Sequence, residues 1–250
     1  MKKFQIFGDI HLEHFRGDEK AIKTFLKSLL TDADYVLIAG DVFTYHGLEA
    51  QAEIFGDVFK DKCVIYIPGN HEYYGTYRGT MNDKLRYIMG MNGIIFLENE
   101  YIEIDDVVII GSCGWADRFN EVGCRMMNDF RLIDDLVKDR HTVLTWGMQA
   151  RKYIEDTIKQ YQNKKIVCLT HNAPIVDMIP SEYMGSPLNE FFANDWSDLI
   201  KNYNINTWIS GHNHQHKSIE RHDTQLIENS FGYYNYDQVY NFDKKLIIEV

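Results

Sequence analysis

The sequence predicts an α/β protein. Three observations carry this. Short apolar runs, continuous rather than alternating, recur along the chain. Segments with helical spacing of apolar residues separate the first of them. A polar residue of metal-ligand type follows most of these runs. Continuous apolar strands suit a parallel sheet covered on both faces, and functional groups beyond the carboxyl ends of strands are what open α/β sheets present.

The elements follow in order. Phe4-Gln5-Ile6-Phe7 reads as a strand, ending in Gly8-Asp9-Ile10-His11. Residues 18–30 place Ala21, Ile22, Phe25, Leu26, Leu29 and Leu30 on one helical stripe. Tyr35 to Ala39 is a strand that ends in Gly40-Asp41. Residues 50–59 are a second helix, and Val64 to Ile67 a third strand, ending in Pro68-Gly69-Asn70-His71-Glu72. A helix over 82–91 precedes short strands at 94–97, 101–104 and 107–111, with Asp105-Asp106 as a hairpin turn. Residues 115–145 lack periodicity and read as an irregular insertion that covers or flanks a site. A helix over 146–161 leads to the strand Ile166 to Thr170, which ends in His171. A helix over 188–203 leads to the strand Asn206 to Ser210, which delivers Gly211-His212-Asn213-His214. Residues 217–221, 224–227 and 245–250 close the chain as antiparallel strands.

With 250 residues and 45% hydrophobic content, the chain can bury a full core. No repeat, low-complexity segment or linker divides it, so 1–250 reads as a single domain. The net charge of -11 disfavours a nucleic-acid polymer as the main partner, because neutralising phosphates needs clustered Lys and Arg. A small anionic substrate stays open, since a metal ion reverses the local field. Cys63, Cys113, Cys124 and Cys168 form no C-x-x-C pair and read as reduced thiols. The apolar run after Lys2-Lys3 is too short for a signal peptide, and no stretch approaches the ~18 apolar residues of a membrane span. A cytoplasmic location with no membrane partner is the expectation.

The chemistry lies in the residues collected at strand ends: Asp9, His11, Asp41, Asn70, His71, His171, His212 and His214. Imidazole, carboxylate and amide oxygen together suit borderline divalent ions such as Mn, Fe, Zn, Co or Ni better than Mg or Ca. The donors outnumber the needs of one tetrahedral zinc. Two ions are the economical reading, with one carboxylate placed to bridge them. Each of these residues alone has an ordinary explanation: a turn former, a cap or a packed histidine. Their joint occurrence at five separate points is what carries the metal-site reading.

The order Asp9-x-His11, Gly40-Asp41, Gly69-Asn70-His71-Glu72, His171 and Gly211-His212-Asn213-His214 resembles the calcineurin-like metallophosphoesterases. The resemblance spans residues 9 to 214. It implies a fold the runs alone did not give: two facing mixed sheets with helices outside and a dinuclear metal centre at one edge. It also implies roles. Asp9, His11 and His214 would hold one ion; Asn70, His171 and His212 the other; Asp41 would bridge. His71 would face the phosphate and protonate the leaving oxygen as general acid, with a metal-bridging hydroxide as nucleophile. Manganese is the ion expected to work best in vitro.

The second motif, Gly40-Asp41-Val42-Phe43-Thr44-Tyr45-His46, lacks the Asp-Arg pair of the protein Ser/Thr phosphatases, which disfavours that branch. The expected activity is a phosphodiesterase or phosphomonoesterase acting on a small molecule or nucleotide. The alternatives are a nuclease of the same superfamily, or a non-catalytic scaffold like the retromer subunit of this fold. His14, His46, His141, His216 and His222 hold no motif position and read as surface or packing residues, with His46 the one that could approach the site. Arg118, Arg125 and Arg131 in the insertion are candidate phosphate contacts. Tyr73-Tyr74 and Phe231-Gly232-Tyr233-Tyr234 are candidate pocket walls.

Overall fold

The computed structural model describes all 250 residues. The first half alternates as expected: β1 (Lys3–Phe7), α1 (Glu19–Leu29), β2 (Tyr35–Ala39), α2 (Leu48–Phe59), β3 (Cys63–Ile67), α3 (Arg78–Met91) and β4 (Ile94–Phe96). The hairpin of β5 (Glu100–Ile104) and β6 (Val107–Ser112) follows, with Asp105 at its turn in the left-handed region (φ 55°). Then come α4 (Glu121–Met126), α5 (Asp129–Leu132), α6 (Asp134–Lys138) and the long α7 (Thr142–Gln160). The chain continues through β7 (Lys165–Thr170), α8 (Asn189–Phe192), α9 (Ser197–Asn202), β8 (Thr207–Ser210), β9 (His216–Arg221) and β10 (Thr224–Asn229). It finishes with the short β11 (Gly232–Tyr233) and β12 (Asp237–Gln238), then β13 (Ile247–Glu249).

The strands form two large mixed sheets. One has the order β13-β1-β2-β3-β4, parallel except for β13. The other has the order β5-β6-β7-β8-β10-β9, parallel in its centre and antiparallel at both margins. Alternation along each strand explains the layers, because successive side chains point to opposite faces. Ile6, Leu37, Ile65 and Ile67 meet Ile109, Val167, Leu169 and Ile209 between the sheets. Phe7, Val36, Ile38 and Tyr66 face the other way, onto α1, α2 and α3. Val108, Ile110, Ile166 and Trp208 do the same for the second sheet, beneath α7 and α9.

Two expectations need correction. Residues 115–145 are not irregular: they hold three helices of 6, 4 and 5 residues and the start of α7. Helices that short present too few turns to repeat an apolar stripe, so their periodicity is invisible. Residues 188–203 are not one helix. Ala193 bridges Ala173 in parallel fashion, and Trp196 donates its indole N–H to Asp117 at 2.7 Å, so the chain is drawn out between α8 and α9.

Candidate metal centre

The carboxyl ends of β1, β2 and β3 meet those of β7 and β8 at one edge of the sandwich. Glycines let the strand ends approach. A Cβ on Gly69 would lie 2.1 Å from Asp41 Oδ1, and one on Gly211 would lie 2.6 Å from Asp9 Oδ2. Asp9, His11, Asp41, His212 and His214 all have positive φ, between 42° and 73°. Non-glycine residues rarely adopt that region, at a cost on the order of 1 kcal/mol or more each, and such strain gathers where function fixes the backbone.

The side chains converge in three groups whose donor atoms lie within 4.8 Å of one another: Asp9, His11 and His214; Asp41, His171 and His212; and His11, Asp41 and His71. Asp41 Oδ2 is central, at 3.4 Å from His171 Nε2, 3.7 Å from His11 Nε2 and 3.9 Å from His71 Nε2. Asp9 is fixed by the His212 backbone N–H and by Ser230 Oγ, which donates at 2.5 Å.

The donor set can be tested for its fit to cations. His171 Nδ1 lies 2.7 Å from the Ala39 carbonyl oxygen, which only accepts, so that nitrogen carries the hydrogen. When neutral, the ring turns its Nε2 lone pair toward Asn70 Oδ1, 3.0 Å away. The Asn70 amide is oriented independently: its Nδ2 donates to Asp129 Oδ1 at 2.8 Å, which leaves Oδ1 facing inward. Two acceptors thus face each other. His11 Nε2 is likewise left as an acceptor, facing His214 Nε2 at 3.1 Å, because His11 Nδ1 donates to Glu13 at 3.0 Å. Facing acceptors need a cation between them, and ligating histidines typically hold their other nitrogen on a carboxylate or carbonyl in this way.

The charges agree. Asp9, Asp41, Glu72, Asp129 and Glu228 are buried, and none pairs with Lys or Arg. Uncompensated buried carboxylates are costly. Burial and the Asp41 charge raise Asp9, and burial with the Asp9 charge raises Glu228 to about 8. Burial would lower His171, but Asp41 and Asp9 outweigh it and raise it to about 10. The field that would hold a proton on that ring would also hold a divalent ion. Burial holds His212 well below its usual range and His214 at about 3, so both are neutral imidazoles able to ligate. The residues fit a pair of borderline divalent ions.

A family model for calcineurin-like phosphoesterases matches residues 2–216. The chain belongs to the calcineurin-like phosphoesterase family. It is a metal-dependent phosphoesterase, a hydrolase of ester bonds. It is 28% identical over 262 residues to an uncharacterized protein of Acanthamoeba polyphaga mimivirus, covering 93% of this chain and 92% of that one. Among solved structures it is similar to the phosphopantetheinyl hydrolase of Mycobacterium tuberculosis (TM-score 0.74, 17% identity, 93% of this chain and 90% of that one). It is also similar to the anchor in the inner membrane complex of Plasmodium (TM-score 0.54, 15% identity, 98% and 76%). No helix is long and apolar enough to cross a membrane.

All eight residues expected at this phosphoesterase site come together. The His71 and His214 side chains are 17% and 19% exposed, whereas those of His11 and His171 are fully buried. Other expectations divide. Tyr233 does wall the site, with its ring 4.5 Å from that of His11 and 4.6 Å from that of His214. Tyr74 lies 4.5 Å from His71, but Tyr73 is core. His46 and Arg118 are exposed, Arg125 lies near Glu121, and Arg131 donates to the Arg125 carbonyl. None of these four is brought into the cluster. His14 does reach it: its ring lies 6.0 Å from His11 and 4.5 Å from Tyr233.

Four supporting carboxylates carried no role in the sequence. Glu13 accepts from His11, and Asp129 from Asn70. Glu228 accepts from the backbone and side-chain nitrogens of Asn213, which sets the turn between His212 and His214. Glu72 accepts backbone N–H groups from Asp41, Val42, Phe43 and Gly69. Only the Gly-Asn-His-Glu motif offered a signal, for Glu72.

Proposed function

We propose that the protein hydrolyses a phosphomonoester or phosphodiester of a small molecule or nucleotide with two divalent ions and His71 as proton donor. Asp9, His11 and His214 would hold one ion; Asn70, His171 and His212 the other; Asp41 would serve both. When bound, the ions supply an acidified water for attack and positive charge against the phosphoryl oxygens. The protein's residues do the rest. Asp129 keeps the Asn70 oxygen turned inward, and Phe192 stacks flat on His212 at 4.1 Å to fix its ring. Burial would lower the His71 pKa, but with no ion on Asp41 the charges of Asp41 and Glu13 outweigh it and raise it to about 9. His71 Nε2 would give a proton to the departing ester oxygen, while the Nδ1 hydrogen stays on the ring, donated to Glu13 3.2 Å away.

The observation that carries this reading is the convergence of two donor groups, Asp9–His11–His214 and Asp41–His171–His212, with Asp41 Oδ2 also 3.7 Å from His11 Nε2 and 3.9 Å from His71 Nε2. The net charge of -11 favours a small substrate over a nucleic-acid polymer. The test is a hydrolysis screen of mono- and diesters with Mn, Fe, Zn, Co and Ni, with manganese expected to work best. Turnover of a nucleotide or small ester supports the proposal. Degradation of DNA in preference to every small ester would replace it with a nuclease. Metal-loaded protein that turns over no ester would leave a scaffold.

A further inference from the structure

We infer that Glu13 is a positioning residue that sets two histidines of the site at once, tying the ring geometry of one metal group to that of the proton donor. The inference rests on the proposed roles of His11 and His71.

Glu13 Oε1 lies 3.0 Å from His11 Nδ1 and 3.2 Å from His71 Nδ1. Those two rings stand edge to face, with centroids 4.5 Å apart. A carboxylate oxygen accepts, so each ring must place a hydrogen on Nδ1. Each Nε2 is thereby aimed away from Glu13: that of His11 toward His214 and Asp41, that of His71 toward Asp41. One oxygen therefore chooses the tautomer of both rings. The other, Oε2, is buried and has no partner, so the carboxylate's hydrogen bonds all serve these two histidines.

The backbone makes the placement rigid. His11 sits at φ 42°, which starts the helical turn Leu12–Phe15 and brings residue 13 back beside residue 11. Leu12 and Phe15 anchor that turn in the core, and the Leu12 N–H donates to the Val42 carbonyl. No other carboxylate replaces Glu13 at the Nδ1 atoms: Asp41 faces the opposite, Nε2, side of both rings.

The test compares Glu13→Ala, Glu13→Gln and His71→Ala in zinc-loaded protein. Long-range nitrogen–proton correlation of the imidazoles reads the tautomers. In the parent both rings should show a protonated Nδ1. In Glu13→Ala the His71 ring should lose that fixed state. The affinity of the ion near His11 should fall about 10–100-fold, as should kcat on an alkyl phosphate. An aryl phosphate with a good leaving group should suffer less, because its oxygen needs no proton. Glu13→Gln keeps the side-chain volume and one accepting oxygen, so it should fold and fall between parent and Glu13→Ala. Unchanged tautomers in both variants, or equal losses on the two esters beside a selective loss in His71→Ala, would overturn the inference. If His71→Ala itself loses both esters equally, the donor role of His71 falls, and the tautomer spectra alone decide whether Glu13 sets the rings.

Discussion

Glu72 is the residue whose replacement should cost the most for the smallest change in shape. Its Oε1 accepts the N–H groups of Val42 and Phe43 at 2.8 and 2.9 Å. Its Oε2 accepts those of Gly69 and Asp41 at 2.7 and 3.2 Å. The carboxylate thus clamps together the loops that deliver Asp41 and Asn70. Glu72→Gln keeps the volume but turns one oxygen into an amide nitrogen, and either orientation sets that nitrogen against two N–H donors. Two buried donors then lose their acceptor, at about 1–3 kcal/mol each, or roughly 2–6 kcal/mol in total. Domains are stable by only about 5–15 kcal/mol. For a chain of 250 residues, that loss should lower Tm by roughly 4–24 °C. Urea denaturation of chelator-treated parent and variant measures it without contribution from metal. A loss below about 1 kcal/mol would refute the clamp, because it would mean the four N–H groups find other acceptors at little cost.

His71→Ala should keep its metal, measured by elemental analysis, and lose about 10²–10⁴-fold in kcat on esters with poor leaving groups; equal rates on such esters would sink the donor role. Asp129→Ala leaves the Asn70 amide held by the Tyr74 hydroxyl alone, at 3.0 Å, so one of the two ions should bind about 10–100-fold more weakly in a chelator competition while circular dichroism stays unchanged. Unaltered affinity for both ions would argue against that orienting bond. Gly69→Ala should strip metal from the purified protein, because its Cβ would fall 2.1 Å from Asp41 Oδ1; Gly79→Ala, with nothing within 4 Å, is the tolerated control, and equal metal content in the two would contradict the close approach. Removing metal by chelation should abolish hydrolysis, and added manganese should restore it; turnover that survives exhaustive chelation would exclude the proposed chemistry.

Much of the site was legible because local rules write it. Strand runs announce themselves by continuous apolarity, and the polar residue after each run is one step away in sequence. Asp105-Asp106 marked its hairpin for the same reason, since a turn depends on adjacent residues. The insertion was opaque because its helices are too short to repeat. The break between α8 and α9 was opaque because a distant backbone, at Ala173, claims Ala193 and Asn194.

The sequence by itself determined the strands of the two large sheets and which polar residues follow them, all encoded by neighbours along the chain. Only the tertiary structure decided how those donors are aimed. Asp129 reaches Asn70 from 59 residues away, Glu13 reaches His71 from 58, and Ser230 reaches Asp9 from 221. A hydrogen bond fixes a tautomer or an amide face only at about 3 Å. No periodicity in the chain records which carboxylate will arrive at that distance once the two sheets have packed.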